Sequence, residues 1–314
     1  MIKYAFFTPG CLGTCWYGKY HYLEPFTGCQ YDCAYCYAKV RSEVISRLAD
    51  IGTAFSQPEI GMPQENALEA MRRELAENSN IKIVKLSRYT DIFTKKFVEN
   101  GFSHKVLQML VKTPQITRII ITTKAAPDEN ILKLIIDNPD KFSYNLSIKP
   151  KNGIYLEENL PPRNVRLSCA AACSKAGVLT TVHIDPVVHG PDDSGEALNS
   201  FCGEIKEYGL SRVMFSYMLF EDKIAANVTN KIGVEDFEKI RINYNIDRTE
   251  ILPNQEEIKY FILKPGIKIK SIEKIAGILK HHGLDFVVCG LKTGKGNIEE
   301  IKKCCPVCDG KFYA

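Results

Sequence analysis

From about residue 80 the chain alternates short apolar runs with stretches of helical spacing, and this alternation restricts the fold more than any other feature of the sequence. "IKIVKLS" (81–87) reads as a strand and "SHKVLQMLVKT" (103–113) as the helix that follows it. The pattern repeats in "TRIIITTK" (117–124) with "DENILKLIIDN" (128–138), and in "FSYNLSIK" (142–149) with "PRNVRLSCAAACSKAG" (162–177). It repeats again in "VLTTVHIDPVV" (178–188) with "SGEALNSFCGEIKEYG" (194–209), and ends on the strand "RVMFSYM" (212–218). Strands apolar nearly throughout need cover on both faces, and a helix after each strand supplies it, which predicts a parallel sheet. A strand near 20–28 and a helix near 40–50 bring the count to about six β/α units. The expected class is α/β, a partial (β/α)6 TIM-type barrel, with its chemistry at the C-terminal ends of the strands.

After about residue 220 the alternation stops. The expected division is therefore a barrel over 1–220 and a C-terminal, cysteine-rich accessory region over 221–314, which includes the strand "DFVVCGL" (285–291). A chain of 314 residues, 45% hydrophobic and 25% charged, is long enough and apolar enough to bury a large core. No apolar run reaches the roughly 18 residues of a membrane span, and residues 1–16 lack the basic, apolar and cleavage segments of a signal peptide. The expected location is the cytoplasm, with no membrane partner. A formal charge of +4 is too small to argue for nucleic acid by itself, although lysines crowd the chain after Lys259. Without a signal peptide the 12 cysteines point to metal rather than to disulfides.

"FTGCQYDCAYCYAKV" (26–40) sets Cys29, Cys33 and Cys36 in a CxxxCxxC spacing. Soft thiolate ligands suit an iron–sulfur cluster, and the short spacing keeps all three in one loop. Three protein ligands on a four-iron cluster leave one iron open to a substrate or cofactor, as a catalytic zinc keeps one position free. The alternative is a zinc site completed from elsewhere, by His21 or another cysteine.

With an aromatic residue, Tyr35, before its third cysteine, the motif resembles that of the radical S-adenosylmethionine superfamily, CxxxCxφC. The resemblance narrows to the spore photoproduct lyase-like branch over roughly 20–220. "SRYTDIFTKKF", "ITTK" and "NLSIK" are similar to its second, third and fourth strand ends, and Arg166, Leu167, Gly177, Pro186 and Asp192 or Asp193 fall in step with a later segment. The resemblance implies a 4Fe-4S cluster that chelates S-adenosylmethionine and, when reduced, cleaves it to methionine and a 5′-deoxyadenosyl radical that takes hydrogen from a substrate. It implies a reducing partner of the flavodoxin or ferredoxin type. It also implies that Tyr35 packs against the cofactor, that Lys124 meets the cofactor's carboxylate, and that Ser147 meets its polar atoms. Asp91 would close the pocket floor or bind ribose. Tyr35 and Tyr37 flank the third cysteine as in the lyase, where such tyrosines serve radical relay, and Tyr89 is the nearest alternative. The sequence departs from the lyase in one respect: its hydrogen-donating cysteine at the second strand end has no counterpart, because no cysteine lies between Cys36 and Cys169.

Outside this segment, Cys11 and Cys15 in "CLGTC" and Cys305 and Cys308 in "CCPVC" form two close pairs, a set suited to zinc or to a second iron–sulfur cluster, with Cys304 as an alternative ligand. Cys169, Cys173, Cys202 and Cys289 read as structural. His189 follows the strand 178–188 on the expected active face, in a role of substrate binding or proton transfer. The function expected is that of a radical S-adenosylmethionine enzyme. Two other readings stand beside it: a lyase that repairs a flipped DNA lesion, and a metal-binding or redox-sensing protein without turnover.

Overall fold

The computed structural model describes residues 5–10, 20–150, 156–157, 159–251, 257–290, 298–308 and 312. Its larger sheet has eight strands in the order β1 (Phe7–Pro9), β2 (His21–Leu23), β3 (Ile83–Leu86), β4 (Arg118–Thr123), β5 (Phe142–Ser147), β6 (Leu179–Val187), β7 (Arg212–Tyr217) and β11 (Asp285–Val288). The pairs from β2 onward are parallel, and only β1 runs antiparallel, against β2. The sheet is not closed, which makes it an open, partial TIM-type barrel. All six residues of β5 are buried, as expected of a strand with side chains facing the lumen on one side and helices on the other.

The crossovers are α1 (Ser42–Ile51), α2 (Gln64–Glu77), α3 (Lys95–Glu99), α4 (Phe102–Lys112), α5 (Glu129–Ile136), α6 (Arg163–Lys175) and α7 (Gly195–Glu207). Their starts are written locally. Asp128 caps α5 by accepting from the Ile131 N–H at 2.8 Å, and Ser194 caps α7 by accepting from the Ala197 N–H at 3.3 Å. Between β2 and β3 the chain inserts α2, whose buried stripe is Ala67, Leu68, Met71 and Leu75.

The boundary expected at residue 220 cuts across this sheet. A small antiparallel sheet, β8 (Phe220–Glu221), β10 (Glu257–Leu263) and β9 (Tyr244–Ile251), with α8 (Asp222–Ile232) and α9 (Val234–Arg241), is inserted after β7. The chain then returns through α10 (Pro265–His281), which packs on α7, to β11, which pairs with β7 from Asp285↔Arg212 to Val288↔Phe215. The late region is thus part roof and part barrel. A separate apolar group fills the lumen floor: Tyr20 and Ile120 from one side of the sheet, and Met214, Val287, Cys289 and Cys308 from the other.

Candidate active site

A cavity of about 730 Å³ lies over the C-terminal ends of the strands. Its walls carry Cys29, Cys33 and Cys36, the strand-end residues Ser87, Asp91, Lys124, Ser147 and Asp185, and, from the inserted sheet, Glu221, Arg248 and Tyr260. The position agrees with the rule for parallel α/β folds.

The cysteine loop is fixed from both ends. Gly28 has φ +93°, and a Cβ there would stand 2.6 Å from the Phe55 carbonyl oxygen, so only glycine fits. The Phe55 carbonyl in turn accepts from the Cys29 N–H at 2.7 Å, and the Cys36 N–H closes a turn on the Cys33 carbonyl at 3.1 Å. Burial pushes all three thiols above their usual range. For Cys33 it carries the value to about 12, against the opposing pull of the Lys124 ammonium. Asp91 and the neighbouring thiols add to the rise at Cys29, Glu157 and Cys36 add to that at Cys33, and all three cysteines line one cavity. Three thiols, Cys33 buried and Cys29 and Cys36 half-buried, each costly to ionise alone, fit a group that brings positive charge, and their softness fits iron. Among the described residues, no three His, Cys, Asp or Glu side chains close on a single metal ion.

Lys124 is a cation that acts on the thiols of the loop from the end of β4. Its Nζ donates to Ser147 Oγ at 2.6 Å, lies 3.6 Å from Glu157 Oε1 and sits 5.6 Å from the Tyr35 ring centre. Burial works against its charge, but Glu157 and then Cys33 outweigh it and hold the ammonium above its usual range. Asp91 sets where Lys124 stands: its carboxylate accepts from the Lys124 N–H at 2.8 Å, from Thr123 Oγ1 at 2.8 and 3.0 Å, and from the Phe93 N–H at 3.0 Å. Of the two roles expected for Asp91, this geometry suits the pocket floor.

Tyr35 is buried, with its hydroxyl donating to Glu157 and the ammonium of Lys149 5.2 Å from its ring centre. Lys149 is itself locked to Asp192 at 2.6 Å, with both side chains fully buried. Tyr37 and Tyr89 meet at the cavity wall with ring centres 5.9 Å apart. The Tyr37 hydroxyl donates to the Arg88 carbonyl at 2.5 Å, and that of Tyr89 donates to Glu43.

His189 is not among the residues lining this cavity. Its Nδ1 lies 2.7 Å from Asp193 Oδ2, in a network that reaches Ser271 on α10. Cys305 packs in the main core, whereas Cys308 joins the lumen floor, so the two do not face one space. Cys11 and Cys15 lie outside the described residues.

Two carboxylates were not among the sequence candidates. Glu157, between β5 and α6, lies under Tyr35 and Lys124. Glu24, after β2, accepts from the backbone N–H groups of Arg88 and Tyr89 and so shapes the second strand end, and burial raises its carboxyl to about 7.

Solved structures of spore photoproduct lyase share this architecture. The complex with dinucleoside spore photoproduct superposes with a TM-score of 0.58 at 13% identity, over 85% of this chain and 75% of that one. A cysteine-to-alanine variant of the same enzyme gives 0.59 at 14%, over the same shares. The chain has the fold of spore photoproduct lyase. No protein-family model matches the sequence, and no curated protein matches it. The shared fold extends past residue 220, since the matched 85% exceeds the segment on which the sequence resemblance rests. Among the described residues no helix is long and apolar enough to cross a membrane.

Proposed function

We propose that the chain is a radical S-adenosylmethionine enzyme acting on a substrate held beneath the inserted sheet. The observation that carries this reading is that Cys29, Cys33 and Cys36 line the same cavity as Lys124 and Ser147, at the strand ends. The three thiolates would hold a 4Fe-4S cluster. With S-adenosylmethionine bound, such a cluster, once reduced, supplies a 5′-deoxyadenosyl radical that abstracts a hydrogen atom. Lys124, oriented by Asp91 and Ser147, would bind the cofactor's carboxylate through a charge-assisted hydrogen bond. Tyr35 would pack against the cofactor, held in place by Glu157. The apolar walls and the roof keep water from the reacting atoms. An electron donor of the flavodoxin or ferredoxin type is the partner this chemistry requires.

Alanine at Cys29, Cys33 and Cys36 should abolish 5′-deoxyadenosine formation by anaerobically reconstituted protein under dithionite. Cleavage that persists in the triple variant would sink the assignment. Absence of cleavage by the reconstituted, reduced parent chain would instead favour a metal-binding or redox-sensing role.

A second reading, repair of a DNA lesion, is favoured by stacked pairs at the cavity wall, Arg88 at 4.7 Å from the Tyr89 ring centre and Arg248 at 3.9 Å from that of Tyr260, which suit a flipped base. The second strand end, "KLSRYTD", carries no cysteine to act as donor, so hydrogen return would fall to Tyr37 or Tyr89. Affinity for duplex DNA that falls steeply with salt would support this reading, and salt-independent or absent binding would exclude it.

A further inference from the structure

The donors of Lys124 are all in use. An ammonium has three hydrogens to give. The Lys124 Nζ donates to Ser147 Oγ at 2.6 Å and to the Asp185 carbonyl at 3.4 Å, and its remaining partner is Glu157, whose Oε1 stands 3.6 Å away. Glu157 also accepts from the Tyr35 hydroxyl. A carboxylate of the chain itself thus engages both groups that the proposed reading gives to the cofactor. Its other oxygen, Oε2, is buried without a hydrogen-bond partner, a costly position for an ionised group. A complementary donor is in the same position nearby: the Nε of Arg166 is buried and has no hydrogen-bond partner. Arg166 adjoins Lys124, since its Nη1 donates to the Lys124 carbonyl at 3.0 Å. Burial pulls its guanidinium below the usual range, and Glu157 is the first charge to oppose that pull.

We propose that Glu157 is an internal stand-in for the cofactor's carboxylate: a ligand carboxylate takes its place on Lys124, and the Glu157 side chain turns to Arg166. This rests on the reading of Lys124 as the cofactor's carboxylate site. Two carboxylates on one ammonium repel each other, so the incoming group replaces Glu157 instead of sharing Lys124 with it. The turn gives the Arg166 Nε an acceptor in a charge-assisted hydrogen bond, so an ion pair is exchanged and none is lost. The backbone need not follow, because the Leu156 carbonyl is held by the Ala34 N–H of the cysteine loop at 3.1 Å. No covalent bond changes and no proton moves. The site therefore selects ligands by their carboxylate, and a nucleoside without one leaves Glu157 where it is.

The test uses the anaerobically reconstituted chain and calorimetry with two probes. S-adenosylhomocysteine carries the carboxylate, and 5′-methylthioadenosine lacks the amino-acid end. Glu157→Gln removes the competing charge, so it should bind S-adenosylhomocysteine about tenfold more tightly than the parent chain and 5′-methylthioadenosine no differently. Arg166→Gln should weaken S-adenosylhomocysteine binding in the parent chain and have little effect once Glu157 is glutamine. Weaker or unchanged binding of S-adenosylhomocysteine by Glu157→Gln, or an equal gain for both probes, would overturn the stand-in while leaving the cofactor site in place. A parent chain and variant that bind neither probe would overturn the cofactor reading, and the stand-in with it. Should Glu157→Gln not fold, Glu157→Asp, which draws the carboxylate back from Lys124, carries the same expectation.

Discussion

Replacing Glu157 with glutamine removes a carboxylate that sits against both Tyr35 and Lys124. At 3.6 Å, in surroundings of effective dielectric about 20, the pair with Lys124 attracts by about 5 kcal/mol. The Lys124 side chain keeps 18% of its exposure, so solvent screens part of this. Glutamine retains an acceptor for the Tyr35 hydroxyl, which leaves a loss of about 2–4 kcal/mol, the lower range for breaking a buried pair. In thermal unfolding under anaerobic conditions at pH 7 the variant should melt about 5 °C below the parent chain. The pH dependence carries a sign. Burial alone would raise the Glu157 carboxyl, but Lys124, Lys149 and the Tyr35 hydroxyl outweigh it and hold it below its usual range. The stabilisation is therefore full above the unfolded value of roughly 4.3 and disappears as pH falls through the folded value. The difference between parent and variant should narrow below that pH. Combined with Lys124→Met, the two substitutions should couple by more than about 1 kcal/mol. Additive effects, or a variant as stable as the parent at pH 7, would refute the electrostatic account.

Three further outcomes are expected. Gly28→Ala forces a Cβ to 2.6 Å from the Phe55 carbonyl oxygen, so iron content after reconstitution should fall together with the melting temperature; full iron loading would show that the loop adapts. Glu24, with its carboxyl raised to about 7, makes the fold less stable as pH rises from roughly 4.3 to 7, by about 3 kcal/mol. Glu24→Gln should flatten that part of the stability profile, and an unchanged slope would assign it to other groups. Tyr37→Phe should leave 5′-deoxyadenosine formation largely intact while product falls behind it; equal losses would make Tyr37 a packing residue, and the same defect in Tyr89→Phe alone would move the role there.

The barrel was legible because its strands and helices each carry their own periodicity, from 81–87 through 212–218. The inserted roof was not. In β9 only Tyr244 is buried, so the strand shows no apolar alternation and is specified by its pairing with β10. The strand expected at 285–291 is present as β11, but nothing local says that it rejoins a sheet left at Tyr217, because parallel pairing is decided by distant partners. The cysteine loop was legible from spacing, and Lys124, Ser147 and Asp91 from strand ends that now line one cavity with it. Glu157 and Glu24 lie in aperiodic connections, where only the folded contacts reveal a buried carboxylate. The Cys305–Cys308 spacing suggested a pair, but the bridge of Val307 to Val288 turns the two side chains to different sides.

The lumen floor combines Tyr20 with Cys308, so it joins residues made near the beginning of synthesis to residues made nearly three hundred positions later. On a ribosome, β2 through β7 can pair in order of appearance, each strand finding its neighbour already present. The vessel stays open from below until β11 and the bridge of Val307 to Val288 have followed. During that interval the cysteine loop has been made but its cavity has no finished base. A nascent chain stopped at residue 284 would therefore hold every thiol of the catalytic loop and lack the wall that keeps solvent out from beneath.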